Sequence, residues 1–332
     1  MRPVFALLLL GCPGKDDTDT GSDTDTDGAF APLLLDAAPE TGVLLGAWSD
    51  GGTAILVGGD YSGIGRITRY DGTSICVEAE EYEGVLWWVH GRGPGDWYAV
   101  GERGMVVHGQ GATRTREDIP TQFTLFGVYD DGTDVWAVGG DVRNTQDGEI
   151  WRKPAGGEWE LVRGAIDGLM FKTWNHWFVG DGLAYWWDGT QLVERPPPND
   201  VKLLTITGSQ DSVFAVGGEI VPTLLEWTGS DWTSHTVSPE CAGGQGLNGV
   251  WTDGTDVYVA GHNGAASRFD GTDWTCDSPP VTSAHFHASW RHGDEQLWLG
   301  GNLFASTDNT GTVVVHPAHT GAPLTATVCQ SP

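Results

Sequence analysis

One phrase recurs seven times between Val43 and Pro317. Its clearest copy reads Leu247-Asn-Gly-Val-Trp251, a turn, Val257-Tyr-Val-Ala-Gly261, then Ser267-Arg-Phe-Asp-Gly-Thr-Asp-Trp274. A small hydrophobe followed by glycine marks each copy, at Val57-Gly58, Val100-Gly101, Val138-Gly139, Val179-Gly180, Val216-Gly217, Ala260-Gly261 and Leu299-Gly300, with spacings of 43, 38, 41, 37, 44 and 39. A period near 40 residues marks a propeller or solenoid, whose units bury their faces by stacking on one another.

Each unit reads as four short strands, because runs rich in Val, Trp, Tyr and Leu are separated by Asp-Gly, Gly-Gly and Asn-Gly turns. In the sixth copy the strands are expected at 247–251, 256–260, 265–269 and 273–277. No helical period of useful length is present. Arranged radially, seven such antiparallel sheets close a ring and protect most of their edges, so the chain is predicted to be an all-β, seven-bladed β-propeller, with six or eight blades as the alternatives. The second copy lacks the Asp-Gly turn, and the fourth, Leu169 to Gly180, is shortened and loses its first hairpin turn. The 50 glycines and 17 prolines suit a chain with dozens of turns.

The N-terminus predicts the address. Met1-Arg-Pro-Val-Phe-Ala-Leu-Leu-Leu-Leu-Gly-Cys12 places one positive charge before an apolar run and ends in Leu9-Leu10-Gly11-Cys12. It resembles a bacterial lipoprotein signal, which implies cleavage before Cys12 and a lipid on its thiol; the run is short for that pattern, and Leu10 stands where Ala or Ser is commoner. Residues 1–11 are thus read as signal, 12–29 as lipidated cysteine and tether, and 30–332 as one propeller with a C-terminal tail. The tether, Pro13 to Gly28, carries six aspartates and no apolar side chain able to join a core, so it is expected to stay extended and reach about 50 Å at ~3.3 Å per residue. Asp23-Thr-Asp25-Thr-Asp27-Gly28 matches half of a calcium loop, but Leu34 stands where that loop needs a bidentate Glu.

A net charge of −28 excludes nucleic-acid binding, which needs a cationic face. It also disfavours close docking on anionic lipid except through the anchor. Besides Cys12 there are four cysteines, and an even number outside the cytoplasm points to two disulfides with three pairings open. Cys241 lies just before the sixth copy and Cys276 in its last strand, so they could staple one blade; Cys76 and Cys329 would tie the tail across the ring closure.

Most of the 17 tryptophans recur at fixed registers, as Trp136, Trp177 and Trp298 do, and are expected to be core. Trp87, Trp88 and Trp97 break that pattern and are candidates for an exposed sugar-stacking platform. His285 and His287 lie two apart on an innermost strand, hence on one side, with His90 a further ligand candidate. Their spacing does not demand a metal, and no metal or cofactor is predicted. Catalytic signatures are missing too: no Gly-x-Ser-x-Gly, His-Glu-x-x-His or phosphate loop occurs.

The repeat of Leu247-Asn-Gly-Val-Trp251, Asp256-Val-Tyr-Val-Ala-Gly261 and Phe269-Asp-Gly-Thr-Asp-Trp274 resembles that of bacterial surface lipoprotein propellers. Its Asp-Gly-Thr-x-Trp segment is similar to the Asp-box turn of sialidase-like and photosystem-assembly-factor-like propellers. The resemblance covers about 43–317 and implies a fold far more strongly than an activity; the sialidase arginine triad and nucleophilic tyrosine cannot be placed here. The reading is therefore a monomeric, envelope-anchored binding or scaffolding module for a protein or glycan. Its ligand surface is expected on loops between first and second strands and between blades. The alternative is an extracellular carbohydrate-active hydrolase or lyase using the central channel.

Overall fold

The computed structural model describes residues 29–34, 41–60, 62–93, 95–209, 212–276, 279–302, 310–317 and 322–330. The signal, Cys12 and nearly all of the tether lie outside them. The described residues form a seven-bladed propeller of four-stranded antiparallel sheets, each blade running outward from an innermost strand. The innermost strands are Val43–Ser49, Leu86–Gly93, Thr124–Asp130, Met170–Trp174, Leu203–Gly208, Leu247–Thr252 and His285–His292. In the sixth blade the remaining strands are Val257–Gly261, Ala266–Phe269 and Trp274–Cys276, within a residue of the period-based expectation. Trp136 and Trp298 are fully buried and Trp177 nearly so, as residues repeated at one register of stacked blades should be.

Ring closure uses both ends of the chain. The outermost strand of the seventh blade is the N-terminal segment Ala31–Leu34, which pairs antiparallel with Gly311–His316. Leu33 and Leu34 are buried in the largest apolar cluster. The tail then runs past this strand, with the Leu324 amide donating to the Leu33 carbonyl at 2.7 Å, and adds Thr327–Val328 in parallel to Ile75–Val77 of the first blade. There the disulfide Cys76–Cys329 fixes it, while Cys241–Cys276 staples the sixth blade.

Two expectations change. The fourth blade does not lose its first hairpin: Trp174 and Trp177 flank a two-residue turn in which Asn175 and His176 both take positive φ, 41° and 69°. That is the tight mirror-image turn that matches strand twist, and asparagine tolerates it without glycine. The loops also divide differently. Because successive strands alternate in direction, turns between strands one and two lie at one end of the ring, whereas loops between strands two and three and the blade-to-blade connections lie at the other. The two loop sets expected to form one surface are therefore at opposite ends.

The end with the first and third turns is held by aspartates whose carboxylates accept two backbone N–H groups each. Asp71 takes those of Thr73 and Ser74, Asp188 those of Thr190 and Gln191, and Asp131 those of Thr133 and Asp134. These bonds favour the ionised form. The Thr73 amide and hydroxyl hold Asp71 down at about 2, and the Thr190 hydroxyl and the Gln191 amide do the same for Asp188. Asp131 is pushed lower still, where burial is outweighed by the His176 ring and the same turn amides. Since the folded pKa lies below the unfolded value, their stabilisation is complete above pH ~4 and is lost as pH falls toward 2. A melting temperature measured from pH 6 to pH 2 should hold until about pH 4 and then drop; a flat profile would mean that the turns contribute nothing.

Candidate functional site

The glycine that marks each repeat has a structural cause. In all seven blades the innermost strand carries a β-bulge near its start, so two of its residues oppose one on the second strand. In the first blade Leu44 pairs with Gly58 and Gly46 with Val57, leaving Leu45 unpaired. In every blade but the sixth, where a Cβ on Gly261 would meet no backbone atom closer than 3.5 Å, the bulge brings the inner strand's backbone hard against the marker glycine. A Cβ on Gly58, Gly101, Gly139, Gly180, Gly217 or Gly300 would overlap the carbonyl oxygen of Val43, Val85, Thr124, Leu169, Lys202 or His285, respectively.

The seven extra residues are Leu45, Trp87, Phe126, Phe171, Leu204, Asn248 and His287, and all of them line one cavity of about 380 Å³ in the central channel. Five are apolar. Asn248 donates to the Phe286 carbonyl at 2.8 Å. The buried indole N–H of Trp87 and Nε2 of His287 have no hydrogen-bond partner among the described residues. Trp87 meets Phe126 edge to face at 5.1 Å, and Phe126 meets Phe171 at 5.6 Å, so three neighbouring blades form a continuous aromatic wall. Glu102, Thr124 and Val142 stand at its mouth, on or beside the loops between second and third strands and between blades, so the cavity opens at that end of the ring.

One step deeper, Lys172 crosses between blades. Its ammonium donates to the Phe126 carbonyl of the third blade at 2.7 Å and lies 4.4 Å from the Trp88 ring of the second. Gly127 makes the crossing possible: a Cβ there would come within 2.8 Å of the Lys172 Cα and 2.9 Å of the Phe171 carbonyl. Lys172 is only 9% exposed, and loss of water pulls its pKa down to about 7. Burial, with smaller contributions from His262, His285 and Lys172, lowers His287 to about 3, so its ring is neutral at physiological pH.

The candidates read from sequence separate. Trp87 and His287 share the cavity. Trp88 and Trp97 do not form an exposed platform; both are core residues, lying over Gly46 and Gly109, where a side chain would collide with the indoles. His285 and His287 do not act as one pair, because the bulge between Phe286 and Ala288 breaks the alternation. His285 instead meets His262, Nδ1 to Nδ1, at 3.0 Å. His90 accepts the Asp130 backbone N–H at 3.1 Å and stacks on Tyr129 at 4.2 Å, and burial pulls it down to about 3. It stands three residues beyond the bulge, a register shared by Trp48, Trp174, Trp251 and Trp290; the rings of Trp48 and Trp174 wedge against Gly91 and Gly208 of the next blade. Among the described residues no group of three His, Cys, Asp or Glu side chains is arranged to hold a metal.

Lys172, Phe126, Phe171 and the mouth residues were not singled out by sequence reading. A histidine held by two carboxylates does exist, but away from the channel: His108 meets Asp96 at 2.9 Å and Glu117 at 3.1 Å inside the second blade. Glu102 is the one carboxylate among the residues lining the cavity.

The mouth end is also where large apolar side chains are left in solvent. Val142 (43% exposed), Ile220 (81%), Val221 (71%) and Val281 (38%) all lie on its loops, whereas only Leu161 and Val328 are comparably exposed elsewhere among the described residues. Ile220 and Val221 are adjacent, and large apolar side chains left exposed together are a feature of interaction surfaces.

The chain matches no protein-family model and no curated protein by sequence. Its structure is similar to that of YCF48 bound to D1 peptide, with 15% identity and a TM-score of 0.62 over 87% of this chain and 97% of that one. YCF48 from Cyanidioschyzon merolae matches at 16% identity and a TM-score of 0.61, over 87% of this chain and 98% of the other. The WD40 β-propeller domain of Doa1 matches at 10% identity and a TM-score of 0.63, covering 88% and 98%. At such identities the shared property is the propeller fold.

Proposed function

We propose that this chain is an exported propeller, held to the bacterial cell envelope by a lipid on Cys12, which docks a protein partner on the mouth end of its ring. The observation that carries this reading is the placement of Val142, Ile220, Val221 and Val281 on loops of the end at which the apolar-walled cavity opens. The two disulfides fit an oxidising compartment. An acidic tether of this length could span at most about 50 Å between the anchor and the ring. One similar structure carries a bound peptide, which favours protein over glycan; so does the burial of Trp88 and Trp97 that a sugar platform would have exposed. Hydrolysis of a glycan needs two carboxylates across the scissile bond, and the cavity offers Glu102 alone.

The test is the double variant Ile220→Glu, Val221→Glu. Both residues are exposed, so the melting temperature should stay within about 0.5 kcal/mol of wild type in stability terms. Proteins cross-linked to the wild-type chain in intact envelopes should be lost from the variant. Unchanged partners would place the docking surface elsewhere.

A further inference from the structure

We propose that the channel cavity, independently of the rim, is a site for a small apolar carboxylic acid, whose carboxylate pairs with the Lys172 ammonium while its hydrocarbon body lies against Phe126, Phe171 and Leu204. The volume, about 380 Å³, and the apolar walls with a few convergent polar groups are those of small-molecule sites. Lys172 supplies a buried amine, cationic below its lowered pKa of about 7, that no carboxylate meets among the described residues, its hydrogen bond going to the Phe126 carbonyl. A buried charge without a counter-ion is costly, and an incoming carboxylate would offset that cost. Such a pair is favourable only when the carboxylate finds further donors. The Trp87 indole N–H, on the same aromatic wall, is a buried donor with no partner among the described residues, and Nε2 of His287 is likewise unpartnered there; the Asn248 amide is already committed to the Phe286 carbonyl. The protein's negative charge repels anions at long range, but salt screens exposed charges beyond about 8 Å, whereas the enclosed pair is screened much less.

The experiment is calorimetric titration of the full, disulfide-intact chain with 3-phenylpropionate and with its uncharged amide. The acid should bind saturably and the amide about tenfold or more weakly, the loss expected for a charge-assisted bond. Lys172→Met should abolish that preference; it leaves the Phe126 carbonyl without its donor, so a modest fall in melting temperature is expected and the variant is titrated well below its own transition. Leu204→Trp, which fills the cavity and keeps Lys172, should abolish binding of both compounds. Equal affinity for acid and amide, or no saturable binding of the acid up to about 10 mM, would overturn the proposal. So would tight binding of acetyl-Gly-Gly-Phe with a free carboxylate when phenylpropionate fails, since the site would then read a chain terminus. Loss of acid binding leaves the rim reading intact, because Ile220 and Val221 are not part of this cavity.

Discussion

Leu34→Asp should destabilise the whole propeller by at least about 4 kcal/mol, out of proportion to its place near the chain start. Leu34 is fully buried in the strand that completes the seventh blade, so the substitution forfeits about 2–3 kcal/mol of apolar burial and places a carboxylate in the core. The consequence is topological as well. Without Ala31–Leu34, the strand Gly311–His316, whose Val313, Val314 and Val315 are fully buried, becomes an open apolar edge. Open edges pair with other chains. Denaturant unfolding should show a reduced midpoint and light scattering should show self-association; a variant that unfolds like wild type and stays monomeric would mean that the seventh blade is complete with three strands.

Replacing Cys76 and Cys329 together by serine should cost about 4–5 kcal/mol, and replacing Cys241 and Cys276 about 3–4 kcal/mol. The cross-link with the longer sequence span restricts the unfolded chain more, and the spans are 253 and 35 residues. The first pair also holds Thr327–Val328 on the first blade, so its removal should release the tail to proteolysis near residue 324 while the second does not. Equal losses from the two double variants would show that the tail bridge has no role in joining the first and seventh blades.

The architecture was legible because the period, the marker glycine and the Asp-Gly turns all recur at strand boundaries set by the backbone. The meaning of the marker was not. A bulge is a mismatch of count between two paired strands, and no single strand's sequence reveals it until the pairing register is known. The residues it ejects, from Leu45 to His287, differ from copy to copy because they face the channel rather than a repeated neighbour. Trp88 and Trp97 stood out from the repeat for a related reason: the space they fill is made by Gly46, about 40 residues away, and by Gly109 across a hairpin, and such compensation is visible only in three dimensions. The N-terminal strand escaped notice because Ala31-Pro-Leu-Leu34 is four residues long and holds a proline, which suits an outermost strand but gives no period. Lys172 sat inside a recognised repeat with nothing in its spacing to show that its amine would reach across Gly127 to the second blade.

The most direct test of a partner-docking mouth is site-specific photocross-linking in intact envelopes, comparing a photoreactive residue at Val221 with one at Asp71 on the opposite end and one at Leu161 on an outer strand. A discrete cross-linked protein is expected from Val221 and none from the other two. Cross-links from Asp71 or Leu161 with none from Val221 would contradict docking at the mouth.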